Sequence, residues 1–170
     1  KVLKKYYGSF LKYENKGEKG IVTQADKEAE AVILSTLNEK FNYGVIAEES
    51  GVKEGNSDYY WVIDPLDGTT NFSRKIPFFC VSIALLKKNQ PEIGVIYHPL
   101  TDELFYTERG KGAFLNEKKL HINTLEHPTV IACNKGYGDR HAEKYLQLLT
   151  SLFPEYKTLR HLGSSALELA

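Results

Sequence analysis

The chain has 170 residues, 42% hydrophobic and 12% aromatic, enough for one substantial core or for one domain and part of another. Lys plus Arg and Asp plus Glu number 22 each, which excludes a nucleic-acid footprint or a basic membrane surface built on net charge and leaves electrostatics local to a site. No apolar run has membrane-spanning length and no signal-peptide pattern opens the chain, while Cys80 and Cys133 lie in apolar runs without ligand spacing, the pattern of reduced core thiols in a cytoplasmic protein.

Residues 1–7 read as the end of a helix, with Val2, Leu3 and Tyr6 as a partial apolar face and Gly8 as its stop. Residues 9–20 are charged and contain glycine, and read as a solvated loop, although Lys16 and Lys19 could neutralise a phosphate. Over residues 22–41, Ala25, Ala29, Val32, Ile33, Leu37 and Phe41 fall on one stripe, which predicts a helix. Thr23 and Asp26 stand at capping-box spacing, so Asp26 has a structural explanation available. Residues 44–47 form a short predicted strand ending in Glu48 and Glu49. Alternation along a strand sends neighbours to opposite faces, so only one of the two glutamates can serve a given ion. Residues 50–58, rich in Gly, Ser, Asn and charge, read as a surface loop.

The run Tyr59, Tyr60, Trp61, Val62, Ile63 has the length and composition of a buried strand, predicted to end at Asp64. Pro65 brings no N–H to a ladder and Asp67-Gly68 is a turn pair, so the backbone must bend there, placing two acids at one strand end, where open α/β sheets bind ligands. Asp64 and Asp67 offer four hard oxygens and the bend a peptide carbonyl, the donor set that Mg2+ or Mn2+ prefers. Gly68, Thr69 and Thr70 follow with N–H groups and hydroxyls that suit a phosphate oxygen. Taken singly, Asp-Pro and Asp-Gly are also plain turn chemistry, with Thr69 as a cap.

Strands are predicted over 77–86, over 92–97 after a turn at 89–91, over 103–107 after Thr101-Asp102, then over 113–115 and 120–123, which makes an antiparallel meander. His98 and His121 stand beside turns without an acidic or histidine partner at ligand spacing and read as structural. A strand over 129–133, an amphipathic helix over 139–153 with Tyr145, Leu146, Leu149 and Phe153 inward, and a strand over 156–162 follow; Gly163, Ser164 and Ser165 then open a helix.

Three segments, VTQAD at 22–26, AEES at 47–50 and WVIDPLDGTTNF at 61–72, together resemble the inositol monophosphatase family, in that family's order and at compatible spacing. LDGT also resembles the haloacid dehalogenase superfamily, but the catalytic aspartates there are two positions apart and here the interval from Asp64 to Asp67 is three, which disfavours an aspartyl-phosphate mechanism. The family's enzymes are Mg2+-dependent, lithium-sensitive phosphomonoesterases in a superfamily with fructose-1,6-bisphosphatases. The resemblance therefore implies an α/β layered fold, an inositol monophosphatase-like sandwich of helices on a mostly antiparallel sheet. An N-terminal unit over 1–125 would carry the site, and 126–170 would begin a second, incomplete α/β unit.

The resemblance also assigns roles. One Mg2+ would take Glu48, Asp64 and the Leu66 carbonyl, a second would share Asp64 and take Asp67, and a third would hang on Glu48 through waters, with Mn2+ as a substitute. Glu49 would be either a partner of those ligands or an ordinary solvated glutamate. Asp26 and Thr69 would orient and deprotonate a metal-bound water, Gly68, Thr69 and Thr70 would hold the phosphoryl oxygens, and Gly163 and Ser164 would touch the sugar hydroxyls. Ser165 stands where the family usually has alanine. The substrate would be a small phosphorylated sugar or cyclitol, with fructose 1,6-bisphosphate or another phosphate monoester as alternatives, and a homodimer is expected by analogy. The family completes its second metal with an aspartate in a later W-D motif, whereas the only tryptophan here is Trp61. A longer protein is accordingly expected, and a non-catalytic binding or regulatory protein or fragment on this fold is the alternative of another class.

Overall fold

The computed structural model describes residues 1–9, 12–17, 20–121, 130–133 and 142–170. Helix α1 (Val2–Tyr6) is followed by the hairpin β1 (Tyr13–Asn15) and β2 (Ile21–Thr23), then by α2 (Gln24–Asn38). Next come β3 (Gly44–Ala47), β4 (Gly51–Lys53), β5 (Tyr59–Asp67) and the short α3 (Thr69–Ser73). The meander comprises β6 (Cys80–Lys87), β7 (Gln90–His98), β8 (Glu103–Glu108), β9 (Gly112–Leu115) and β10 (Lys118–Lys119). Then follow β11 (Val130–Ala132), α4 (Ala142–Leu152), β12 (Thr158–Arg160) and α5 (Ser165–Glu168).

The main sheet has the order β10-β9-β8-β7-β6-β5-β3-β4, and the β3–β5 pair is its parallel step. The mostly antiparallel, helix-covered sheet is therefore the architecture expected from the alternating strands and tight turns. Lys88 and Asn89 both have positive φ and join β6 to β7 as a two-residue hairpin, which moves the turn ahead of the expected 89–91 and lets Pro91 enter β7 opposite Leu86, where the register shifts. Asn116 and Glu117 turn in the same way, so the last meander strand is Lys118–Lys119 rather than 120–123; residues 122 and 123 lie outside those described.

One core cluster joins Leu3 of α1, Ala25 and Ala29 of α2, and Leu66, Phe72 and Phe79 from around the Asp-Gly bend. Tyr7, Phe72 and Phe79 form a ring triangle with centroids 4.8–5.6 Å apart. Leu66 and Phe72 thus anchor both sides of the bend, each buried side chain contributing roughly 1.5–3 kcal/mol. A second cluster packs Val45, Ala47 and Ile63 of the sheet against Ile33, Leu34 and Leu37 of α2.

Several expectations need correction. Residues 13–15 and 51–53 are strands, not loop, because short edge strands pair through backbone alone; all their side chains are exposed and carry no apolar alternation to read. Strand β5 continues to Asp67: the ladder passes from Asp64↔Ser82 to Asp67↔Cys80, three steps on one strand against two on the other, so the missing N–H of Pro65 falls in a bulge instead of ending the strand. Val32 is 50% exposed on α2, and Phe41, expected on the same helix, lies beyond its end at Asn38, 38% exposed and packed on Tyr43 and Trp61. Leu146 on α4 and Phe153 just past its end are exposed, not inward; residues 139–141 of the expected helix, Thr129 of the expected strand and Lys19 lie outside the described residues.

Candidate active site

The parallel pairing of β3 with β5 matches Ala47 to Ile63, so the next residues, Glu48 and Asp64, emerge side by side, and the Glu48 N–H donates to the Ile63 carbonyl at 3.1 Å. Burial, then the charge and hydrogen bond of Glu48, then the charge of Asp67 push the Asp64 carboxyl up to about 8. Asp64 Oδ1 also accepts the Leu66 N–H at 3.0 Å. The bulge swings Asp67 toward the other end of the chain, where its Oδ2 accepts Ser164 Oγ–H at 2.8 Å and the Ala166 N–H at 2.7 Å. Cys80 Sγ lies 3.8 Å from the same oxygen, and burial pushes its thiol up to about 12, so it stays protonated and can donate.

Glu48 and Glu49 do not separate to opposite faces. The strand ends at Ala47 and both follow in a turn, where Lys16 Nζ lies 3.2 Å from Glu48 Oε1 and 2.5 Å from Glu49 Oε1. Glu49 is not a solvated glutamate: its side chain is 10% exposed, and burial raises its pKa. Lys16, expected in a solvated loop, has an 18% exposed side chain pinned between these two acids.

Asp26 carries both of its expected attachments. Thr23 Oγ1–H and the Thr23 N–H donate to Asp26 Oδ2 at 2.5 and 2.8 Å, completing a capping box, while Thr69 Oγ1 stands 2.9 Å from Asp26 Oδ1. Burial raises the Asp26 pKa against these donors. Thr69 Oγ1 is also 3.0 Å from the Leu66 carbonyl; its single proton serves one acceptor at a time, and the carboxylate is the stronger. Gly68 has φ +95°, and a Cβ there would stand 3.1 Å from the Phe78 carbonyl and 3.3 Å from that of Gly163. Glycine is thus required both by the backbone conformation and by the close fit. It opens α3, so Gly68 and Thr69 carry backbone donors at a helix start, where intrahelical acceptors run out; Thr70 is exposed on the same turn.

Gly163 and Ser164 reach this neighbourhood; Gly163 is half-buried, and Ser164 is fully buried with its hydroxyl donated to Asp67. Asn71 ties the two regions together, donating from Nδ2 to the Leu162 and Phe78 carbonyls, both at 2.7 Å. Two residues escaped the sequence reading. Glu30 is 3% exposed, and its oxygens accept the Glu49 and Ser50 N–H groups, both at 2.8 Å, fixing the turn that carries Glu48. The available signal was a carboxylate one turn beyond Asp26, next to buried Ala29 on a helix face otherwise read as core. Asn71 gave no such signal. His98, read as partnerless, is buried with Nδ1 2.6 Å from Thr101 Oγ1 and 3.6 Å from Glu103 Oε2, its partner across the hairpin.

Among the described residues, no three or more His, Cys, Asp or Glu side chains make a ready metal cluster on their own. The donor chemistry nonetheless fits a hard divalent cation. Glu48 and Asp64 lie in hydrogen-bond contact, Asp67 is close enough to act on Asp64 electrostatically, the Leu66 carbonyl belongs to the same bend, and a cation there would offset the crowding that raises the Asp64 carboxyl.

The inositol monophosphatase family model matches residues 1–170. Inositol-1-monophosphatase of Mesorhizobium japonicum is 44% identical over 165 residues, 94% of this chain and 62% of that protein. Nus factor SuhB of Escherichia coli is 42% identical over 160 residues, 91% of this chain and 60% of that protein. The crystal structure of extragenic suppressor protein suhB from Bartonella henselae superposes with a TM-score of 0.92 at 37% identity, covering 99% of this chain and 67% of that one. The chain thus spans 60–62% of the length of these two curated relatives.

Proposed function

The chain belongs to the inositol monophosphatase family, a generally metal-dependent phosphatase family, and from that premise we propose that its protein hydrolyses a small phosphorylated sugar or cyclitol with Mg2+. The observation that carries the proposal is the Asp26–Thr69 pair set beside the crowded carboxylates of Glu48, Asp64 and Asp67. Glu48, Asp64, Asp67 and the Leu66 carbonyl would hold two or three divalent ions, Mg2+ or Mn2+. Ions bound there acidify water and offset charge developing on the phosphoryl and leaving oxygens.

The chain's own groups supply direction. Thr69 Oγ1 passes its proton to Asp26 Oδ1 as it accepts one from the attacking water, and the Thr23 donors on Asp26 Oδ2 leave Oδ1 to receive it. The Gly68 and Thr69 N–H groups, with the Thr70 hydroxyl, hold the phosphoryl oxygens, on a turn whose left-handed backbone Gly68 permits. No covalent phosphoenzyme is required.

The 44% identity to a protein named inositol-1-monophosphatase supports inositol phosphate as substrate over fructose 1,6-bisphosphate. Lithium sensitivity and a homodimer accompany the family reading. The test is phosphate release from inositol 1-phosphate with added Mg2+: turnover abolished by Asp64→Asn is expected, and turnover indifferent to that change or to Mg2+ sinks the proposal. Helix α4 between the parallel strands β11 and β12 supports a second α/β unit over 126–170. No described helix is long and apolar enough to cross a membrane, and the free thiols of Cys80 and Cys133 support a reducing, cytoplasmic setting.

A second reading, a binding or regulatory role on the same fold, is favoured by the relatives named Nus factor SuhB. It predicts that Asp64→Asn, though inactive on phosphate esters, restores the phenotype of a strain lacking the gene.

A further inference from the structure

We infer that Ser164 is a positioning residue for Asp67, its buried hydroxyl aiming this carboxylate. This rests on the proposed role of Asp67 as a metal ligand. Ser164 has no exposed surface, so a bound molecule cannot touch its hydroxyl. It occupies the N-cap of α5, where a serine ordinarily caps its own helix, yet it makes no side-chain cap bond there. Its hydroxyl is instead given to Asp67 Oδ2, 97 positions away, at 2.8 Å.

The Ala166 N–H reaches the same oxygen at 2.7 Å and Cys80 Sγ lies 3.8 Å from it, so these three donors all converge on Oδ2. With Oδ2 committed to the protein, Oδ1 is the oxygen left to meet a cation, and the carboxylate is held in one orientation. The turn is itself pinned. The Leu162 carbonyl accepts from Asn71 Nδ2 at 2.7 Å, and the Leu162 and Gly163 N–H groups donate to Glu168 Oε1 at 2.8 and 2.9 Å. Gly163 has φ +80°, and a Cβ there would stand 3.1 Å from the Asn71 amide. A rigid turn fitted to the Asp-Gly bend and delivering two strong donors to one carboxylate oxygen is the geometry of a ligand support.

The test is Mn2+ binding to the purified protein, without substrate, by calorimetry and by electron paramagnetic resonance of the free ion, for wild type, Ser164→Ala, Ser164→Thr and Asp67→Asn. Ser164→Ala is expected to weaken one Mn2+ about tenfold, equivalent to about 1.4 kcal/mol, with the hydroxyl of Ser164→Thr restoring it. Wild-type Mn2+ affinity in Ser164→Ala, with a site lost in Asp67→Asn, overturns the positioning role and leaves the proposed function standing. Unchanged binding in Asp67→Asn removes Asp67 as a ligand and takes both down. If Ser164→Thr binds as weakly as Ser164→Ala, packing and not the hydrogen bond sets the affinity, and the inference fails. Ala166→Pro deletes the other donor without touching Ser164 and serves where Ser164→Ala does not fold; it too must weaken the same ion, and wild-type affinity there overturns the inference.

Discussion

Replacing Glu30 with alanine removes a 3% exposed carboxylate that accepts the Glu49 and Ser50 N–H groups, both at 2.8 Å. A hydrogen bond to a charged acceptor contributes about 1.5–3 kcal/mol net of exchange with water, so the pair amounts to about 3–6 kcal/mol at most. Ser50 is exposed and regains water, whereas Glu49 is half-buried and regains less. The expected loss is therefore about 2–4 kcal/mol, most of it from the donor that water reaches poorly. Glu30→Gln keeps one oxygen but sets an amide N–H against a backbone N–H, and should lose about 1.5–3 kcal/mol. Urea unfolding, with the slope checked for constancy between variants, measures both. A Glu30→Ala midpoint that translates to less than about 0.5 kcal/mol refutes the claim that this side chain holds the turn after β3.

Three further outcomes are expected. Asp26→Asn should lower phosphate release at least about a hundredfold, the loss of a positioned base, while leaving the far-UV spectrum intact; a smaller drop in steady-state assays contradicts the relay through Thr69. Gly68→Ala should cost about 1–2 kcal/mol from the left-handed backbone alone, and more from the contacts at 3.1–3.3 Å, as read in urea unfolding; wild-type stability would contradict the φ of +95°. The Asp64 pKa, raised to about 8 above the ordinary 3.8, means the folded state binds a proton that the unfolded chain has released between those values. Stability in EDTA should therefore be greatest below the unfolded value and fall as pH rises toward about 8, by at most about 1.4 kcal/mol per unit, with Mg2+ flattening the decline. A melting temperature in EDTA that rises over that range contradicts it.

The sheet was legible because its signal is local. Apolar alternation in residues 80–87 and 90–98 and the turns between them need no knowledge of the rest of the chain. Asp64, Asp67 and the Asp26–Thr69 partnership were legible because turn chemistry and family likeness coincide at those positions. What stayed hidden is non-local or made of backbone. Strands β1 and β4 carry no apolar face, the β3–β5 register depends on a parallel pairing across a hairpin, and the bond from Ser164 to Asp67 spans 97 positions. Burial of Glu30 is compensated by main-chain donors, which leave no mark in side-chain pattern. The error over Glu48 and Glu49 came from extending strand alternation one residue past Ala47, where the strand has already become a turn.

The parallel step between β3 and β5 also bears on how the molecule matures. Glu48 becomes a neighbour of Asp64 only after a strand has bypassed its own hairpin partner to dock alongside a later one. Before that docking nothing fixes the two carboxylates side by side to share an ion. A divalent cation held by these acids, as proposed, would find its site only after that docking, and would be expected to slow unfolding more than it hastens folding.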